Sequence, residues 1–64
     1  MEQLIESLSI KAVVLSGRSK EELERTCWML VHEHKHGVMP TEYDIREIDE
    51  ELYLKVLKTA RNMA

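Results

Sequence analysis

An all-α domain of three helices is the fold class this 64-residue sequence predicts, and three observations carry the prediction. Apolar residues recur at spacings of three and four along most of the chain. The only Gly and Pro residues, Gly17, Gly37 and Pro40, divide it into three segments. Ser19, Thr41 and Asp44 stand where the second and third segments begin and are residue types that cap helices. The expected architecture is a single bundle-like domain over residues 1–64, with helices at about 2–16, 20–36 and 42–62. A homodimer is the expected assembly, because a core of this size rarely supplies more than about 3–5 kcal/mol and small folds add subunits, metals or disulfides.

In the first segment, Met1, Leu4, Ile5, Leu8, Ala12 and Leu15 fall on one helical stripe, with Glu2 and Glu6 near its start. Gly17 supplies a left-handed stop. The β-branched run near Ile10 to Leu15 also suits a strand, although a lone strand has no partner in this chain.

The second helix has the clearest start. Ser19 caps free amides while Glu22, three residues on, is placed to reach back in a capping box. Leu23, Cys27, Leu30, Val31 and His34 form the expected buried stripe, and Gly37 ends the helix. For the third helix, Thr41 or Asp44 is the expected cap, with Glu47 completing a box on Asp44. Its stripe is Ile45, Ile48, Leu52, Val56, Ala60 and Met63, and Glu51 with Lys55 is a correctly oriented four-residue ion pair.

Nine Lys and Arg against twelve Asp and Glu leave a net charge of −3. That balance disfavours nucleic acid as the main partner, since neutralising phosphates needs a basic surface. No apolar run approaches the roughly 20 residues of a membrane-spanning helix, and the acidic start Met-Glu-Gln-Leu-Ile-Glu is unlike a secretory signal. Cys27 is the single cysteine, which excludes an internal disulfide and suits a reducing compartment. A cytoplasmic location and no contact with membranes are the resulting expectations.

Three features bear on chemistry. The string His32-Glu33-His34-Lys35-His36 matches H-E-x-x-H, in which two histidines one turn apart hold zinc and the Glu activates its water. Against a catalytic zinc stand Gly37, which ends the helix at the second histidine, the lack of an identifiable third ligand, and a chain too short for a substrate cleft. His32 and His36 are therefore retained only as candidate ligands, read otherwise as solvated residues favouring the helix C-terminus, and neither a cofactor nor an enzymatic activity is expected. The turn Leu15-Ser16-Gly17-Arg18-Ser19 resembles the short Gly-containing connection of helix-turn-helix DNA readers. The residues that would enter the groove are Lys20, Glu21, Glu22, Glu24 and Arg25, three of them acidic, so a DNA-binding regulator is the alternative rather than the first reading.

The third feature is an apolar surplus. Ile10, Val13, Val14, Trp28, Met29 and Leu54 project off the core stripes, and Trp and Met are enriched at interface centres. The functional expectation is a small acidic interaction module that regulates, inhibits or adapts a protein partner. Its expected contacts are Val13, Val14, Trp28, Met29 and Leu54, rimmed by Asp49 and Glu50. The acidic first half and basic second half of helix 3 suit antiparallel pairing with a second copy.

Overall fold

The computed structural model describes residues 2–17, 19–41 and 48–63. Three helices, α1 (Glu2–Leu15), α2 (Lys20–His36) and α3 (Glu50–Met63), pack each against both others, and no strand occurs among the described residues.

The chain ends its first two helices where its glycines stand. Gly17 has φ 63° and Gly37 φ 78°, left-handed values that cost a side chain bearing Cβ about 1–2 kcal/mol. The Gly37 N–H donates to the Glu33 carbonyl at 2.7 Å, closing α2. At the other end of α2, Ser19 is extended and its hydroxyl accepts from the Glu22 N–H at 3.4 Å, a long bond. The reciprocal half of the expected box is replaced: the Ser19 N–H donates to the Ser16 carbonyl at 3.1 Å, so the turn itself satisfies it.

Helix 3 begins later than the sequence reading places it. Asp49 is the cap, accepting from the Leu52 N–H on Oδ1 at 3.2 Å, while its carbonyl accepts from the Tyr53 N–H at 2.9 Å. A short carboxylate competes with helical hydrogen bonding when it binds an amide three residues on, and so starts a helix rather than continuing one. Thr41 is exposed and non-helical. Asp44, Ile45 and Glu47 lie outside the described residues.

The core joins Leu8 and Ala12 of α1, Leu23, Cys27, Trp28, Leu30 and Val31 of α2, and Ile48 with Leu52, Tyr53, Val56, Leu57 and Ala60 around α3. Small residues let the helices approach. Ser9 is fully buried and its hydroxyl lies 2.6 Å from the Ile5 carbonyl and 3.2 Å from the Val56 carbonyl, tying α1 to α3. Arg61 pairs with Glu24 at 2.7 Å across α3 and α2, and Lys55 pairs with Glu51 at 3.3 Å. Two of the basic residues expected to meet a second copy along α3 thus have partners within the chain.

Several expected stripe positions move. Leu15 and Met63 are exposed because they stand at helix ends, beyond their neighbours' reach. His34 is exposed in the last turn of α2, past His32, the last buried residue of that helix. Conversely, Trp28 is 2 % exposed and His32 is buried as well. Buried residues of α2 run from Thr26 round to His32, roughly 240° of its circumference at the helical period. The segment beyond Gly37 returns to the His32 side of α2, where the Val38 carbonyl lies 3.1 Å from the His32 ring, and adds to the face that α1 and α3 cover.

Candidate partner-binding groove

The apolar surplus survives folding but changes place. Of the expected contacts, Trp28 is core and Val13 and Met29 are half-buried against it. Asp49 is engaged as the α3 cap, and Glu50 and Leu54 are exposed on α3. Val14, at 71 % exposure, is the member of that set that falls in an apolar groove.

That groove has a volume of about 350 Å³ and lies between α1 and α2. Ile10 and Val14, one turn apart, form one wall with Leu15, and Leu30 of α2 forms the floor. Met39 closes the far side, while Lys11 and Glu33 stand on the rim. Exposed Val38 adjoins Met39 in sequence. Four of the large exposed apolar residues of the described chain, Ile10, Val14, Leu15 and Met39, therefore share one concavity, whereas scattered exposure is the ordinary condition of a protein surface.

The position of Met39 follows from the end of α2. The left-handed Gly37 reverses the chain, and the His32 Nδ1 lies 3.1 Å from the Val38 carbonyl. A carbonyl only accepts, so Nδ1 carries the proton in this bond. The imidazole is itself held between the Trp28 ring, 5.6 Å away, and the His36 ring, 4.4 Å away. The histidine that the sequence reading treats as solvated is thus a buried strut that fixes the segment lining the groove. Glu33, between the two histidines, is half-buried at the rim.

The rings of His32 and His36 lie 4.4 Å apart with the His32 Nδ1 engaged by the Val38 carbonyl, and a tetrahedral metal site needs further ligands beside these two. Among the described residues no three His, Cys, Asp or Glu side chains converge in a metal-binding group. Cys27 is fully buried, and burial pushes its thiol up to about 11, a rise partly opposed by the positive charge of Arg61. Such a thiol stays protonated and unreactive at neutral pH. A second, larger concavity of about 500 Å³ between the start of α1 and the end of α3 is lined by Ile5 and Met63 together with the charged Glu2, Glu6, Lys55 and Lys58. Among the described residues no helix is long and apolar enough to cross a membrane.

Sequence reasoning missed Leu15, Leu30 and Met39 as groove residues. Val38 and Met39, an apolar pair in a connecting segment just past a Gly stop, were the available signal, since connections are usually polar. Leu30 and Leu15 carried none, because stripe positions read as core.

No curated protein and no solved structure shows significant similarity to this chain. Residues 3–64, nearly the whole length of the three-helix unit, match one family, and the chain belongs to it: the domain of unknown function DUF8662.

Proposed function

We propose that this chain is a small helical interaction module that works by binding a protein chain in the groove between α1 and α2. The observation that carries this reading is the convergence of Ile10, Val14, Leu15, Leu30 and Met39 on one apolar concavity with a charged rim. Grooves of this kind accept the apolar face of a helix, with anchors one turn apart. A chain that binds in this way acts by occupancy, as a regulator, inhibitor or adaptor of what it binds.

The test is a photoreactive crosslinker placed at Val14 in the native host, with a control at exposed Glu21 on the first turn of α2. A discrete protein adduct at Val14, with none at Glu21, supports the reading. Equal labelling at both positions, or no adduct at Val14, overturns it.

A further inference from the structure

We infer that the protein chain seated in this groove is a second copy of the same chain, related by a two-fold axis that passes beside Ile10 and Val14; the inference rests on the docking reading above. Its basis is the charge arrangement of the rim. Lys11 of α1 and Glu33 of α2 are opposite charges on the two sides of one apolar concavity, and neither has an ion-pair partner among the described residues. In a two-fold contact each residue i that meets j is matched by j meeting i. A copy turned over onto the groove sets its Lys11 against Glu33 and its Glu33 against Lys11, so each charge gains one partner and the contact holds two symmetry-related ion pairs.

The apolar surface has the same property. Val14 and Leu15, 71 % and 63 % exposed, stand up as a ridge on α1, while Leu30 and Met39 form the hollow next to it. Ridge and hollow on one face make that face complementary to itself. With α1 antiparallel to α1 of the second copy, Ile10 lies against Val14 of the second copy and Val14 against Ile10 of the second copy. A stable contact buries about 800 Å² on each side, roughly a sixth of the 4582 Å² surface of the chain. Ile10, Val14, Leu15, Val38 and Met39, each about half exposed or more, are the apolar residues that the groove, the outer face of α1 and the adjoining segment offer to such a contact. This contact differs from the α3 pairing that the charge gradient suggests, since Lys55 and Arg61 are matched to Glu51 and Glu24 within the chain.

Sedimentation equilibrium of the full chain over micromolar to millimolar concentration tests the inference. The wild type is expected to show a monomer–dimer equilibrium. Val14→Asp is expected to raise the dissociation constant at least about tenfold by placing a charge in the desolvated centre, with an unchanged thermal melt of the monomer because the site is open. Lys11→Glu and Glu33→Lys are each expected to weaken the dimer several-fold through like-charge contact, and the double reversal to restore it. A wild type that stays monomeric overturns the inference, as does a dimer indifferent to Val14→Asp or a double reversal without recovery. A monomer whose Val14 crosslinks to a different protein in the host overturns self-association alone and leaves the docking reading standing. A monomer with no adduct overturns both.

Discussion

Helices α1 and α3 have the same length of 14 residues and meet the same core, yet they are built on different terms. α3 buries Leu52, Tyr53, Val56, Leu57 and Ala60, a broad apolar face opposite a charged one. α1 buries Leu8, Ser9 and Ala12, two of them small, and leaves Ile10, Val14 and Leu15 in the open. Folding alone accounts for five of the seven apolar residues of α3, all but Leu54 and Met63. It does not account for those of α1, because moving Val14 or Ile10 to a polar residue would leave the core intact. The helix that contributes least bulk to the interior carries the largest apolar excess outside, and the docking proposal rests on that excess.

The most direct way to break this contrast is to truncate both faces. Leu52→Ala in α3 is expected to cost about 2–5 kcal/mol, the usual range for deleting a buried leucine, whereas Ile10→Ala in α1 is expected to stay within about 0.5 kcal/mol. Chemical denaturation of the two variants at a concentration where the wild type is monomeric reads the difference. Similar losses would mean that α1 is as deeply embedded as α3.

A smaller effect reports how dry the buried side is. Burial raises the Cys27 thiol from 9.0 to about 11, against the opposing charge of Arg61 on α3. Between pH 9 and 11 the unfolded chain has released this proton while the folded chain retains it, so the unfolded state binds fewer protons and stability falls as pH rises. The decline attributable to this group reaches about 2–3 kcal/mol across that window and is absent below the unfolded value. Cys27→Ala should therefore show a shallower loss of denaturation free energy from pH 8 to 11 than the wild type. Parallel curves would show that the thiol is solvated in the fold.

The smallest effect concerns how the two regions begin. Asp49→Ala removes the acceptor for the Leu52 amide and is expected to cost about 1 kcal/mol, while Ser19→Ala, which removes a bond of 3.4 Å, should cost less. Thermal melts of the two variants rank them, and the reverse order would place the stronger cap on α2.

The helical class, the ends of α1 and α2, the Ser19 cap and the Glu51–Lys55 pair were all legible before the fold was known. Each depends on residues within one or two turns of one another. The start of α3 was misplaced although its signal was local, because Thr41 and Asp44 offered earlier caps of the same chemistry and Asp49 with Glu50 and Glu51 read equally well as helix interior. For the groove, the sequence reading identified an apolar surplus that includes Ile10 and Val14 but centred it on Trp28 and Met29. Projecting each helix singly assumes a core face of ordinary width and leaves out the segment past Gly37, which returns to His32 and covers part of α2.

Taken alone, then, the sequence determined where the backbone turns helical and where it stops, since capping hydrogen bonds and the left-handed freedom of Gly17 and Gly37 are settled by the nearest residues. Only the tertiary structure decided which apolar residues are interior. Burial at a position depends on which distant parts of the chain fold over it, and so Trp28 and His32 went inside while Ile10, Val14, Leu15 and Met39 came together as a surface.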